Sequence, residues 1–158
     1  MNTLPIEESL QILKGDIVEY SRAGGAAGSI LLIKTNNSNS IWIWCYWEIY
    51  HSGRLLATAD DDITANVGKI AVTVKQLEGE KIERIELSLI RYDLIVYITN
   101  DYKLIINCES QPEDEKYPLN NWELIIKKIN THFFVTCNFT VVQELLKEEK
   151  MKNLDKTP

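Results

Sequence analysis

Two histidines, three cysteines and several runs of carboxylates are the residues in this 158-residue chain that could carry chemistry. Nucleophilic catalysis needs a nucleophile, a base and an acid that orients the base. The side chains that serve as bases at neutral pH are His51 and His132. Cys45 and His51 straddle the end of an apolar strand. Cys137 and His132, five residues apart, alternate onto opposite faces of another. Neither pair is expected to act as a nucleophile with its base, and both histidines are expected at edges or in solvent. Cys45, Cys108 and Cys137 are an odd number at wide spacing, which makes neither a disulfide framework nor a metal motif. Each lies among apolar neighbours, as a small buried hydrophobe does.

The other constellations read in the same way. Asp60-Asp61-Asp62 lacks the alternate acidic positions, the glycine and the distant glutamate of a calcium loop. Three acids there are expected to cap the positive end of a following helix. The glycine-rich residues 24–28 precede a strand and carry no Lys-Ser/Thr pair, so they predict a hairpin turn and not a phosphate loop. Glu48 sits in an aromatic strand and is expected in water at the strand end or against Arg54. No catalytic residue, cofactor or metal is expected. Trp42, Trp44, Trp47 and Trp122 are expected mainly in the core. The alternative use of Trp42, Trp44 and Trp122 is as the lining of a sheet pocket in a small-ligand-binding or regulatory domain.

Charge narrows the partners. There are 17 basic and 23 acidic residues, a net charge of −6, with no clustered Lys/Arg face. Phosphate neutralisation dominates nucleic-acid affinity, so a nucleic-acid partner is not expected. Glu113, Asp114 and Glu115 stand against a single Lys116. With Asp60, Asp61 and Asp62 they are the expected acidic surface, of the kind that steers a basic protein partner.

The elements that must position these groups follow from periodicity. Residues 5–14 predict a short opening helix. Strands are expected over 16–22, 29–33 and 41–50, the last (IWIWCYWEIY) apolar on both sides and therefore central and covered on both faces. A hairpin returns through 55–59. Apolar residues from Ile63 to Leu77 fall at helical spacing, weakened by Gly68 and stopped by Gly79. Residues 81–90, 93–99 and 102–108 predict an antiparallel meander, with a phase slip near Glu83-Arg84 and a tight turn at Asn100-Asp101. A polar loop over 109–121, strands over 122–126 and 132–138, a helix over 141–151 and a tail over 153–158 complete the chain. The expected fold is α+β: one domain over 1–152, a largely antiparallel meander sheet of about nine strands with three helices packed on it. The longest apolar run is far below the ~20 residues of a membrane helix, and the acidic N-terminus lacks a leader pattern, so a cytosolic protein is expected.

Several of these segments together resemble a known group. They are IWIWCYWEIY with its hairpin glycine and acidic run, Leu77-Glu78-Gly79-Glu80-Lys81-Ile82, Asp93-Leu94-Ile95-Val96, Asn100-Asp101-Tyr102-Lys103-Leu104 and the late Trp122. Across roughly residues 41–126 the chain is similar to small bacterial immunity-like proteins found beside contact-dependent or polymorphic toxins. The matching residues are mostly strand-core positions. The resemblance implies a cytosolic, acidic domain without catalytic machinery that binds a cognate toxin, occluding its active or substrate surface. A nuclease toxin is itself basic because it must hold phosphates. The candidate contacts are Asp60, Asp61, Asp62, Glu113, Asp114 and Glu115.

Overall fold

A computed structural model of the chain describes residues 4–146. Eleven strands form two antiparallel sheets of six and five, and two short α-helices accompany them. The expectation of nine strands in one sheet with three packed helices is thus corrected: the fold is mostly β, and only loosely α+β. One sheet has the order β1 (Val18–Arg22), β2 (Leu31–Thr35), β3 (Ser40–Ile43), β9 (Asn120–Ile126), β10 (Thr131–Thr136), β11 (Val141–Leu145). The other has β5 (Arg54–Thr58), β4 (Tyr46–His51), β8 (Tyr102–Asn107), β7 (Leu94–Ile98), β6 (Ile82–Leu87). Leu31, Ile33, Ile41, Ile43, Trp122, Leu124, Phe133 and Val135 of the first join Trp47, Ile49, Leu94, Val96, Leu104 and Ile106 of the second in one buried cluster.

The aromatic stretch explains how one sheet became two. Its alternation holds throughout: Ile41, Ile43, Cys45, Trp47 and Ile49 are buried, and the residues between them are half-buried or exposed. It is not one strand covered on both faces. The chain breaks at Trp44-Cys45, where both backbone N–H groups donate to the Asn121 carbonyl, at 2.8 and 3.2 Å. β3 then stays in one sheet and β4 begins the other, while the inward side chains of both feed the same core.

Two expected helices fail for identifiable reasons. Of residues 63–77 only α2 (Lys69–Lys75) is α-helical; α1 (Ile6–Leu10) is the other helix, and a 3₁₀ turn extends it to Leu13. Ile63 and Val67 are 47% and 76% exposed, so the first half of the apolar stripe has nothing to pack on. Asn66 has φ +66°, which breaks any helix there. Gly68 is the N-cap of α2. A Cβ at Gly68 would meet Asp62 and Thr64 backbone atoms at 2.7 Å, so close packing of the preceding turn excludes a side chain. The expected C-terminal helix is β11 over Val141–Leu145, paired along its length with β10. Val141 and Val142 are β-branched and follow a turn with Phe139 at φ +58°, which favours the ladder over a helix. The rest of the expected helix and the tail lie outside the described residues.

Two local expectations hold. The β6–β7 register shifts between Ile82 and Arg84, at the anticipated slip. Asn100 and Asp101 both have positive φ, as a two-residue hairpin turn requires. The first and second sheets are also tied at one corner. Ile17 bridges Lys81, Val18 N–H donates to the Glu80 carbonyl at 2.8 Å and Gly79 N–H to the Val18 carbonyl at 2.7 Å. Glu80 reinforces that corner, its carboxylate accepting from Thr99 Oγ1 at 2.6 Å and from Asn100 Nδ2 at 2.8 Å.

Two predictions follow from buried amides and paired acids. Asn121 is fully buried; its Nδ2 donates to the Glu109 and Thr136 carbonyls at 3.1 and 3.2 Å, and its Oδ1 accepts from Glu109 N–H at 2.8 Å. Asn121→Ala is expected to lower stability by about 2–4 kcal/mol, measured by urea unfolding, because it orphans these groups in the interior. The Thr99 and Asn100 donors hold the Glu80 carboxyl below its ordinary value of 4.5. The stability this supplies is complete above that value and fades as pH falls through the lower folded one. Glu80→Gln should therefore destabilise at neutral pH, and the difference from the wild type should shrink as the pH falls through the lowered folded value, read by urea unfolding across pH.

Candidate protein-binding surface

Topology brings the two acidic runs to one end of the sandwich. β5 ends with Thr58 opposite Glu48, and β8 ends with Asn107 opposite Tyr46, so both strands leave the five-stranded sheet at the same end. Asp60–Asp62 begin one of the departing loops, and Glu113–Glu115 lie in the other, between β8 and β9. The second loop is held from below by Gln111. Its Nε2 donates to the Tyr117 carbonyl at 2.6 Å, and its Oε1 accepts from Leu119 N–H at 2.9 Å.

Within each run the acids divide into structural and free groups. Asp61 is half-buried; its Oδ2 accepts from Thr58 N–H at 2.7 Å and its Oδ1 lies 3.9 Å from Lys69 Nζ. Asp62 Oδ1 accepts from the Thr64 hydroxyl at 2.6 Å and Thr64 N–H at 3.0 Å, and these bonds hold its carboxyl below the usual range. These two shape the turn ahead of α2 instead of capping the helix directly, which corrects the sequence expectation. Glu115 accepts from Tyr117 N–H at 3.2 Å. The carboxylates of Asp60, Glu113 and Asp114 are exposed and, among the described residues, make no hydrogen bond or ion pair. Partial burial, and after it the charges of Glu48 and Asp60, push the Tyr46 hydroxyl above its ordinary value against a Thr58 bond that lowers it. Of the nearby cations, Arg91 donates to the Cys108 carbonyl at 2.6 Å and covers the Phe139 ring.

An aromatic patch borders this acidic end, on the outer face of the six-stranded sheet. Trp42 and Trp44 stack with ring centres 6.2 Å apart, and Trp44 is 45% exposed. Trp44 Nε1 donates to Glu123 Oε2 at 2.6 Å, and Glu123 Oε1 faces His132 Nε2 at 3.1 Å. His132 stacks on Phe134 at 3.9 Å and is buried, against the expectation of an edge or solvent position. Parity sets His132 and Phe134 on the outer face, opposite the core residues Phe133 and Val135, and the cover there comes from Phe134 and from Glu123 of β9. His51 is half-buried and stacks on Tyr102 at 4.3 Å. Among the described residues neither histidine is bonded to a cysteine, and no three His, Cys, Asp or Glu side chains are grouped to hold a metal.

The tryptophans do not line one pocket. Trp47 and Trp122 are fully buried, their indole N–H groups donating to the Ser29 and Tyr92 carbonyls at 2.7 and 2.8 Å, while Trp42 and Trp44 lie on the outer face. Glu48 is neither in open water nor on Arg54; it is half-buried and accepts from the Tyr46 hydroxyl at 3.3 Å. A cleft of about 400 Å³ joins the patch to the loop, with Trp44, Cys45, Glu109, Leu119, Glu123 and Cys137 among its lining. A larger cleft, about 640 Å³, lies elsewhere, between the β1–β2 loop and α2.

No family model, curated protein or solved structure matches this chain. The surface itself therefore carries the functional argument. No helix among the described residues is long and apolar enough to cross a membrane.

The division among the acids is measurable. Asp62→Ala should lower the urea midpoint, since it removes the turn's side-chain acceptor. Glu113→Ala and Asp114→Ala should change stability by less than about 0.5 kcal/mol, as exposed substitutions without partners do. Urea midpoints of the three variants check both statements.

Proposed function

We propose that this chain is an immunity protein: it acts in the bacterial cytosol, binds a cognate toxin domain and blocks that domain's active or substrate surface without a chemical step of its own. The observation that carries the reading is that Asp60, Glu113 and Asp114, exposed and unpaired among the described residues, lie in loops that leave the five-stranded sheet at the same end of the sandwich. Carboxylates held clear of internal partners are available to a partner, and the exposed Trp44 indole lies at the same end of the sandwich. Aromatic residues are enriched among the anchors of protein interfaces, which carry a polar, solvent-accessible rim. A basic nuclease-type toxin is the partner this surface favours, because its phosphate-binding groups complement the carboxylates. Asp61, Asp62 and Glu115 contribute to that field while they hold their loops.

The decisive experiment is co-expression with the products of neighbouring genes, each carrying a purification tag. A stoichiometric complex and protection of the host are expected. Absence of any complex with a neighbouring gene product would overturn the reading. In the complex, the triple variant D60K/E113K/D114K should slow association about 10–100-fold at low salt and flatten its salt dependence, with a smaller effect on dissociation. An unchanged association rate would remove the acidic end from the interface.

A further inference from the structure

Cys45 and Cys108, read separately in the sequence as small core residues, meet across two strands. β4 and β8 are antiparallel, and their last registered pair is Tyr46 with Asn107. One step further along that register sets Cys45 opposite Cys108. The two residues do not exchange backbone bonds: Cys45 N–H donates to the Asn121 carbonyl at 3.2 Å, and Cys108 N–H donates to Asp93 Oδ1 at 2.6 Å. Opposed residues of this non-hydrogen-bonded kind bring their Cα atoms to about 4.5 Å, inside the range a disulfide spans. Both thiols are buried on the inner side of the sheet, and all three cysteines are free. Contact with the Cys108 thiol, and then burial, push the Cys45 thiol far above its ordinary value. Cys108 Sγ also lies 3.3 Å from the Tyr92 carbonyl, which fixes it at the strand end.

We propose that Cys45 and Cys108 are a redox-modifiable pair that closes to an intramolecular cross-strand disulfide when the protein meets a two-electron oxidant such as hydrogen peroxide. The cleft beside Trp44 reaches Cys45, so the oxidant enters there. The Cys45 sulfur gives an electron pair to one peroxide oxygen and loses its proton; the O–O bond breaks, the other oxygen leaves as water, and a sulfenic acid remains. The Cys108 sulfur then attacks the Cys45 sulfur, the S–O bond breaks, and the hydroxyl leaves with the Cys108 proton as a second water. Two thiols and one peroxide thus become one disulfide and two waters. Burial and the raised Cys45 thiol make the first step slow, so the pair survives reduced until the oxidant is sustained. The bond would fasten the chain where it enters the five-stranded sheet to the point where it leaves.

The test is made on the full chain, incubated with hydrogen peroxide, quenched, alkylated in denaturant and digested with trypsin. Residues 35–54, 104–116 and 129–147 are separate tryptic peptides, each with one cysteine. The expected result is a loss of about 2 Da, a drop from three titratable thiols to one, and a peptide 35–54 joined to 104–116, all reversed by dithiothreitol. Cys137→Ser should leave that cross-link intact, and Cys45→Ser should abolish it. Three thiols retained, a link through the peptide containing Cys137, or cross-linking only between molecules would each overturn the proposal. Mapping the wild-type chain decides the matter even where a serine variant fails to fold.

Discussion

A single buried amide fixes the way this chain passes between its two sheets. Asn121 lies at the start of β9, and its backbone carbonyl receives the N–H groups of Trp44 and Cys45 while its side chain binds Glu109 and Thr136. The chain leaves the six-stranded sheet at Trp44-Cys45 and leaves the five-stranded sheet at Cys108-Glu109. Both departures are satisfied at the same residue. A two-sheet core needs such crossings, and the backbone polar groups exposed at them must be bonded where water is excluded. Placing both beside one asparagine meets that requirement with one side chain.

The surface features follow from the crossing. Trp44 stands where β3 stops, and its indole stays partly exposed on the outer face while it stacks on Trp42 and reaches Glu123. Because β8 ends beside β4, the loop carrying Glu113 and Asp114 rises at the same end as the turn carrying Asp60. The aromatic patch and the acids are adjacent for topological reasons, with no element dedicated to bringing them together. Within the patch Glu123 joins two of the aromatic groups, accepting from Trp44 and facing His132.

Much of this was legible in the residues. The alternation from Ile41 to Tyr50, the slip at Glu83-Arg84 and the Asn100-Asp101 turn all reflect local sterics and burial, which a sequence records directly. The break at Trp44-Cys45 was not legible, because the residue that causes it lies far along the chain at Asn121. The helix expected from Ile63 had the right spacing but no surface to cover its first half, and periodicity alone cannot report a missing partner. The strand at Val141 was hidden in the same way: its reason is the free edge of β10. Among the candidate acids, composition could not separate Asp61 and Asp62, bound into their turn, from Asp60, Glu113 and Asp114. His132 was misplaced because its neighbour Glu123 arrives from another strand.

The pairing of β3 with β9 also governs the order in which the molecule can be assembled. Residues 40–43 are hydrogen-bonded to residues 122–125, so the six-stranded sheet is joined through one long-range seam. The β1–β3 meander emerges from the ribosome early and must wait, one side of β3 open, until most of the chain has been made. Topologies of this kind fold slowly, because a large loop must close before its contacts stabilise it. The intervening five-stranded sheet is a meander over most of its width and forms from near neighbours. Nascent chains that stall before β9 therefore hold a finished half beside an unsatisfied strand edge, the state most open to capture by a chaperone or by another copy.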